Sequence, residues 1–291
     1  LNLLKDQAYK NSLESLLINK KATVGIIGLG YVGLPLALTY AEKKVKVIGF
    51  DIDKNKINII NDGLSFIQHI DNLRVKKTVE NNLLSATDQF SKISDVDAII
   101  ICVPTPLNKN REPDLSFIEN TLSSILKYLR PGQILSLEST TYPGTTEEVI
   151  MPLILSKGFD IGKDFFLVYS PEREDPGNTK FKTSTIPKVL GGITANCNHI
   201  GELLYKNVTS EVVIVKNSRT AEFTKLLENI HRAVNIGLMN ELKPLSDKMD
   251  IDLYEVIEAA STKPFGFVPY YPGPGLGGHC LPIDPFYLTW K

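Results

Sequence analysis

Short, nearly continuous apolar runs alternate with helical patterns between Thr23 and about Lys216. The runs predict strands at TVGIIGLG, VKVIGFDI, DAIIICVP, QILSLEST, FFLVYSP, KVLGG and VVIVKN. Several are apolar almost throughout, which is typical of strands that helices cover on both faces. The helical patterns between them lie at Tyr31–Lys43, Ser116–Tyr128, Thr145–Ser156 and Cys197–Lys206. This alternation predicts an α/β fold with a doubly wound parallel sheet over residues 22–217.

Beyond Asn217 the pattern changes to that of long helices. Apolar residues recur every three or four positions, at Phe223, Leu227, Ile230, Val234, Leu238, Leu242, Leu245 and Met249. That spacing marks one side of a helix. Pro244 should kink or end it, because proline removes a backbone donor and clashes with the preceding turn. Asp252 and Glu255 predict a capping box for a further helix, LYEVIEAAS. We therefore expect an all-helical domain over residues 218–291.

The first 21 residues form an extension ahead of the first predicted strand. Leu13, Leu16 and Leu17 share one side of a predicted amphipathic helix, and the stretch is too charged for a signal peptide. The chain begins at Leu1 without an initiator Met, which suggests a fragment of a longer protein.

Composition excludes several classes of protein. The formal net charge of -1 gives no overall attraction to nucleic acid or to an anionic membrane. No apolar run approaches the roughly 20 residues of a membrane helix. The 3 cysteines are odd in number and far apart, which indicates a reducing, cytoplasmic compartment rather than a disulfide framework. The 4 histidines are too scattered to predict a metal site.

The motif GLGYVG predicts a dinucleotide site. Gly28, Gly30 and Gly33 follow a predicted strand and open a predicted helix, so that a pyrophosphate can approach the helix N-terminus. Asp51 ends the second strand about 20 residues further on, where a carboxylate accepts hydrogen bonds from a ribose diol and repels a 2′-phosphate. Thr105 follows a later strand at the same edge of the sheet. We therefore predict a Rossmann-like domain that binds NAD rather than NADP.

A polar face accompanies the apolar side of the long helix. Lys225, Asn229 and Arg232 are spaced by four and three residues, so they share that face. Two interpretations are open: the residues line a cleft, or they form an ordinary solvated face. A Lys–Asn pair is also what several dehydrogenases use to hold a substrate hydroxyl.

The chain ends with a loop, PGPGLGGHCLPIDP, that contains Cys280. A free cysteine is usually a small buried residue, which is our interpretation of Cys102 and Cys197. A loop of glycines and prolines offers little apolar burial, so Cys280 is a candidate nucleophile. Its thiol would need a lowered pKa, and Lys225 is a candidate source of the positive charge.

Together these segments resemble the UDP-glucose/GDP-mannose dehydrogenase family. The matching stretches run in the family's order: GLGYVG, PTPL, ESTTYPGTT, SPEREDPGN, AEFTKLLEN, MNEL and GGHCLPIDP. SPEREDPGN, STKPFGF and the cysteine loop are most similar to the branch that oxidises UDP-N-acetylhexosamines, with UDP-N-acetylglucosamine favoured. Ile283 stands where the UDP-glucose branch usually has a lysine. The family also has a C-terminal UDP-binding domain, which would begin where this chain stops.

The resemblance implies an NAD-dependent, four-electron oxidation of the sugar's C6 alcohol, for a surface polysaccharide such as capsule or O-antigen. It implies a homodimer through the long helix, and UDP-sugar as the partner molecule. It assigns six catalytic residues: Cys280 as nucleophile, Lys225 and Asn229 as oxyanion ligands, Asp284 as organiser of water and lysine, Glu172 as acid/base and Thr140 as the hydroxyl that positions water. Candidate contacts to the substrate are Arg232, Tyr271, Gly275 and Gly277.

Three alternatives stay open at the level of sequence. In the first, the substrate is UDP-N-acetylmannosamine or UDP-glucose instead of UDP-N-acetylglucosamine. In the second, the enzyme is a two-electron dehydrogenase of the 6-phosphogluconate or 3-hydroxy-acid type. In the third, the chain is an NAD-binding, dimerising fragment without catalysis. The number of NADH formed per substrate, and the need for Cys280, separate them.

Overall fold

A computed structural model describes residues 2–173, 185–278, 281 and 283–291. The chain divides into two compact units. The first comprises Leu1–Pro106 and Asp114–Phe223, and the second comprises Leu107–Pro113 and Thr224–Lys291. The division therefore falls inside a long helix, and the short segment after the fourth strand is grouped with the second unit.

The first unit is a sheet whose strands alternate with helices. Its strands are β1 Thr23–Ile27, β2 Lys46–Phe50, β3 Leu84–Thr87, β4 Ala98–Ile101, β5 Gln133–Leu137, β6 Phe165–Tyr169, β7 Lys188–Gly192 and β8 Val212–Ile214. Its helices are α1 Asn2–Ile18, α2 Gly33–Glu42, α3 Lys54–Asn61, α4 Asn72–Glu80, α5 Ser116–Ile125, α6 Met151–Leu155 and α7 Ala195–Lys206. A π-helical stretch, Thr146–Ile150, leads into α6.

The sheet has the order β3-β2-β1-β4-β5-β6-β7-β8. Every neighbouring pair is parallel except β6 and β7, which are antiparallel. The Rossmann-like fold predicted from the alternation is confirmed, although β3, α3 and α4 were not predicted. The strand order reverses between β1 and β4, and in such sheets ligands bind at that switch point, beyond the carboxyl ends of the strands.

Apolar side chains cover both faces of this sheet. On β4, Ala98 and Ile100 belong to one buried cluster, whereas Ile99 and Ile101 belong to the other. The same alternation recurs on β6, because successive side chains of a strand point to opposite faces. The prediction that continuous apolar runs are strands with both faces covered by other elements is therefore confirmed.

The N-terminal helix α1 is part of the first unit's core. Leu13 and Leu17 are buried in the cluster that contains α2 and α7, and Leu16 packs against it. The Asn207 side-chain amide donates to the Leu17 carbonyl at 3.2 Å. The helix predicted from three leucines is therefore confirmed, and it packs on the sheet unit.

Replacing Leu17 by alanine should lower the free energy of unfolding by about 3 kcal/mol, because the change leaves a cavity in a closed core. Leu17 is 1% exposed, whereas its neighbour Ile18 is 59% exposed. Ile18→Ala is the matched control, and its effect should stay within about 0.5 kcal/mol. Urea denaturation measures both. Equal effects of the two changes would contradict the docking of α1.

The second unit is helical. Its long helix, α8 Ser218–Lys248, is followed by α9 Leu253–Ser261 and α10 Asp284–Trp290. Met239, Leu253 and Ile257 form a small buried cluster between α8 and α9. The Asp252 carboxylate accepts from the Tyr254 backbone N–H at 2.9 Å, so the Asp252 half of the predicted capping box is confirmed.

Pro244 lies inside α8 and does not end it. Of the two outcomes expected at Pro244, a kink or an end, the end does not occur, since the helix continues to Lys248. A proline costs one helical hydrogen bond, and the turns on either side of Pro244 still form. Among the described helices, none has a stretch both long and apolar enough to span a membrane.

Candidate functional site

The glycine-rich turn after β1 has the geometry that a dinucleotide site requires. Gly28 has a φ of 91°, which favours glycine. A Cβ at Gly33 would lie 1.9 Å from the Gly28 carbonyl oxygen, so only glycine lets α2 approach the turn this closely. At Gly30 a Cβ would meet no atom within 4 Å, which leaves that backbone open to a ligand. The turn therefore fits the pyrophosphate of a dinucleotide at the N-terminus of α2.

Asp51 lies at the carboxyl end of β2 and is largely buried. Its Oδ2 accepts from the Leu29 backbone N–H at 2.9 Å, and its Oδ1 accepts from the Asp53 N–H at 3.0 Å. These bonds hold the carboxylate against the glycine-rich turn, where a ribose diol would meet it. The Lys56 ammonium lies 3.8 Å from Asp51 Oδ2. Lys56 was not predicted, although its place five residues after Asp51, in the first turn of α3, could have indicated it.

Two short hydrogen bonds join the loops after β4 and β5. The Thr105 hydroxyl donates to the Thr140 carbonyl at 2.7 Å, and the Ser139 hydroxyl donates to the Val103 carbonyl at 2.7 Å. Thr105 and Thr140 are half-buried. Both threonines therefore lie at the carboxyl edge of the sheet, next to the switch point. The hydrogen bond from Thr105 to the Thr140 carbonyl fixes the backbone that carries the Thr140 side chain.

A pocket that is partly open to solvent lies at the same edge of the sheet. Its walls come from α2, β5, the loop after β6 and the start of β7, and they comprise Val32, Leu36, Glu138, Glu172, Arg173, Ile186, Pro187 and Lys188. Glu172, the predicted acid/base, is thus in a cleft next to the first turn of the α2 helix. Residues 174–184, which include the last five residues of the SPEREDPGN motif, lie outside the described part of the chain.

A buried ion pair supports one wall of this pocket. The Lys188 ammonium donates to Glu138 Oε2 at 2.6 Å, and the Tyr205 hydroxyl donates to Glu138 Oε1 at 2.8 Å. Lys188 also reaches the Pro171 carbonyl at 3.4 Å. Arg173 donates to the Pro187 carbonyl at 2.7 Å. The segment that carries Glu172 is therefore fastened to β7 and, through Lys188, to β5.

Glu222, in the first turns of α8, holds the loop that follows Thr140. One of its carboxylate oxygens accepts from the Gly144 N–H at 2.5 Å. The other accepts from the Thr146 N–H at 2.9 Å and from the Thr146 hydroxyl at 2.7 Å. Burial raises the pKa of Glu222, and the hydrogen bonds from Thr146 and Gly144 oppose that rise. No sequence signal identified this residue.

Glu222→Ala should lower the free energy of unfolding by about 3 kcal/mol, because buried donors on Gly144 and Thr146 lose their acceptor. The pKa of Glu222 is higher in the folded state, so its contribution to stability is larger below its ordinary pKa and falls as pH rises through the folded-state pKa. The difference between wild type and variant should therefore be larger near pH 4 than near pH 7. Urea titrations at both values measure it, with exposed Glu241→Ala as control.

The polar face of α8 is not uniformly solvated. Lys225 is 7% exposed, and the Asn229 side-chain amide donates to Asp284 Oδ2. Asp284, at the start of α10, is 2% exposed. Arg232 is exposed to solvent, as the solvated-face interpretation expected for all three. The second unit therefore brings Asn229 and Asp284 together, one helical turn from a buried lysine.

The glycine-rich loop is described up to Gly278. The Tyr271 ring is half-exposed and stacks on the ring of Tyr254, with centroids 6.3 Å apart. Gly275 and Gly277 have positive φ values of 91° and 72°. Cys280, the predicted nucleophile, lies outside the described residues.

The other two cysteines differ in their surroundings. Cys197 is fully buried at the start of α7, and burial raises the pKa of its thiol. Cys102 follows β4 and packs half-buried against the core. A buried thiol with a raised pKa is a poor nucleophile, so Cys197 is structural.

Residues 22–209 match the NAD binding domain of the UDP-glucose/GDP-mannose dehydrogenase family. Residues 219–291 match the central domain of the same family. The chain belongs to the UDP-glucose/GDP-mannose dehydrogenase family. Its first unit therefore contains the family's NAD binding domain.

Relatives in this family are similar over nearly all of the chain. The UDP-N-acetyl-D-glucosamine 6-dehydrogenase of Pseudomonas aeruginosa is 38% identical, over 94% of this chain and 64% of its own length. Protein CapL of Staphylococcus aureus is 40% identical, over 92% and 62%. The structure of UDP-D-ManNAc dehydrogenase from Pyrococcus horikoshii superposes with a TM-score of 0.87 at 35% identity, covering 92% of this chain and 64% of that one. The chain thus spans just under two thirds of the length of the relatives it matches.

Proposed function

We propose that the protein oxidises the C6 alcohol of a UDP-N-acetylhexosamine to the carboxylate with NAD, and that UDP-N-acetylglucosamine is the preferred sugar. The observation that carries the proposal is the pairing of Asn229 with buried Asp284, beside buried Lys225, in a chain of this family. The names of the relatives support the substrate class. They include both the glucosamine and the mannosamine epimer, and they do not favour one over the other.

Each proposed residue has one task. NAD, when bound, accepts hydride from the sugar. The Cys280 thiolate adds to the aldehyde carbon, and the oxyanion of the resulting thiohemiacetal is stabilised by the Lys225 ammonium and the Asn229 amide. Loss of a second hydride from that carbon, which a second NAD would accept, leaves a thioester. Water then cleaves the thioester and frees the thiol, with Glu172 as base, Thr140 as the hydroxyl that orients the water, and Asp284 as the acceptor that orients Asn229.

We further propose that the protein forms a homodimer through α8. Six apolar residues of the predicted side are exposed: Phe223, Leu227, Val234, Leu238, Leu245 and Met249. Phe223, Val234 and Leu245 are eleven residues apart, and so are Leu227, Leu238 and Met249. Eleven residues are close to three full turns of an α-helix. The exposed side is therefore nearly straight, and a second copy of the helix would bury it. A dimer by light scattering that Leu238→Lys makes monomeric would support this interface.

The name CapL of one relative supports a role in making a surface polysaccharide such as capsule. The spacing of the three cysteines supports a reducing cytoplasmic location. Membership of this family does not support the alternative of a two-electron dehydrogenase of the 6-phosphogluconate type. An NAD-binding, dimerising chain without turnover is the second candidate, favoured by the glycine-rich turn and by the exposed apolar side of α8.

The experiment is to incubate the protein with NAD and UDP-N-acetylglucosamine and to count NADH formed per sugar consumed. Two NADH per sugar establish the four-electron oxidation, and UDP-N-acetylmannosamine in a parallel assay ranks the epimers. One NADH per sugar would contradict it. NAD binding without NADH would favour the second candidate, and repeating the assay with the coding sequence extended past Lys291 decides between them.

A further inference from the structure

Asn240 lies on α8 and uses both ends of its side-chain amide on the glycine-rich loop. Its Oδ1 accepts from the Gly273 backbone N–H at 2.8 Å. Its Nδ2 donates to the Gly275 carbonyl at 2.9 Å. Gly275 N–H in turn bonds the Gly273 carbonyl at 2.8 Å, which closes a tight turn around Pro274. The Asn240 side-chain amide therefore donates one hydrogen bond to the turn and accepts one from it, as a backbone peptide group does in a β-sheet.

The described part of the loop, up to Gly278, is rich in glycines that need outside contacts to hold one conformation. Gly275, Gly277 and Gly278 all have positive φ, and a Cβ at any of them would meet no atom within 4 Å. Glycine loses more conformational entropy on ordering than any other residue, so such a segment stays ordered only where specific contacts hold it. One further contact is apolar, because Leu276 lies 3.9 Å from where a Cβ of Gly237 would be. Gly237 is one turn before Asn240, so both contacts fall on the same side of α8.

We propose that Asn240 is a positioning residue, which sets the conformation of the Gly273–Gly278 segment for the nucleotide sugar. The inference rests on the proposed function and extends it to a residue of the MNEL motif that has no role there. A side-chain amide supplies a donor and an acceptor from one planar group. An aspartate of the same shape keeps the acceptor for Gly273 but places a carboxylate oxygen against the Gly275 carbonyl.

The test compares Asn240→Asp with Asn235→Asp. Asn235 is on the same helix, and its amide donates only to the helix's own His231 carbonyl, at 2.7 Å. The first readout is hydrogen–deuterium exchange of the peptide spanning residues 270–278. We expect the Asn240 variant to exchange about 10-fold faster or more there, since it loses a hydrogen bond and gains a repulsion. The Asn235 variant should exchange as the wild type does.

The second readout separates positioning from general instability. In the Asn240 variant kcat/KM for UDP-N-acetylglucosamine should fall by about 10- to 100-fold. The dissociation constant for NAD should not change, because the NAD binding domain does not contain the loop. Asn240→Gln, which keeps both polar groups on a longer stem, should fall between the wild type and Asn240→Asp.

Faster exchange with unchanged kcat/KM would overturn the proposal, and so would unchanged exchange. Weaker NAD binding in step with kcat/KM would show a merely structural role and would also overturn it. If the wild type forms no NADH even with the extended coding sequence, the proposed function fails, and the role of Asn240 toward the nucleotide sugar fails with it. The exchange experiment would then still report whether Asn240 orders the turn.

Discussion

Cys280→Ala should consume NAD only as far as the aldehyde, so that NADH formed per sugar falls from two to at most one. The aldehyde is a poor hydride donor until a nucleophile has added to its carbonyl carbon, and alanine removes that nucleophile. Steady formation of the uronic acid should fall by about three orders of magnitude or more. The measurement is NADH by absorbance together with sugar product by mass spectrometry.

Cys197→Ala is the matched control, because Cys197 is fully buried and burial raises the pKa of its thiol. It should keep the stoichiometry of two NADH per sugar. In the native wild type, iodoacetamide should label Cys280 and leave Cys197 unmodified, since only a thiolate that reagents can reach reacts. Full uronic acid formation by Cys280→Ala would refute the covalent route.

Lys188→Met should be the most destabilising single change at the sheet's carboxyl edge, costing about 3 to 5 kcal/mol of the free energy of unfolding. The change leaves Glu138, which is buried, as an unpaired carboxylate among Tyr205 and Ser136. It also removes the contact to the Pro171 carbonyl, which is next to Glu172. Urea denaturation measures the loss.

Glu138→Gln combined with Lys188→Met is the control for this effect. The double variant has no unpaired charge, and the glutamine oxygen still accepts from Tyr205, so it should regain most of the lost stability. The coupling energy from the double-mutant cycle then measures the ion pair. If the double variant lost as much free energy of unfolding as the two single variants added together, Glu138 and Lys188 would not act as a pair.

The fold of the NAD binding domain could be predicted from the sequence because the motifs that indicate it are local. Gly28, Gly33 and Asp51 lie within one strand–turn–helix and the strand beside it, so their spacing alone implies the geometry. The apolar strands were equally clear, since both faces are covered. The strand β3, which is only four residues long with one side chain exposed, has no such signal.

Contacts between distant segments had no such spacing to reveal them. Glu222 serves Gly144 and Thr146, which are 78 and 76 residues away. Lys188 and Glu138 are 50 residues apart, and Asn240 meets Gly275 across 35. Sequence patterning indicates which face of an element is apolar, but it does not indicate which polar residue on another element completes a pair. The family resemblance singled out Asp284 as an organiser of water and lysine, and the structure pairs it with Asn229, 55 residues away.

The amino-acid sequence by itself determined the fold class, the position of the dinucleotide turn and the family, because periodicity and motif spacing act over one or two adjacent elements. Tertiary structure alone decided which side chains of α8 are buried and which are solvated, and that α1 belongs to the core of the first unit. It also decided which carboxylates and amides hold the loops. Those outcomes depend on desolvation and on hydrogen bonds between remote segments, whose energies exist only once the chain has folded.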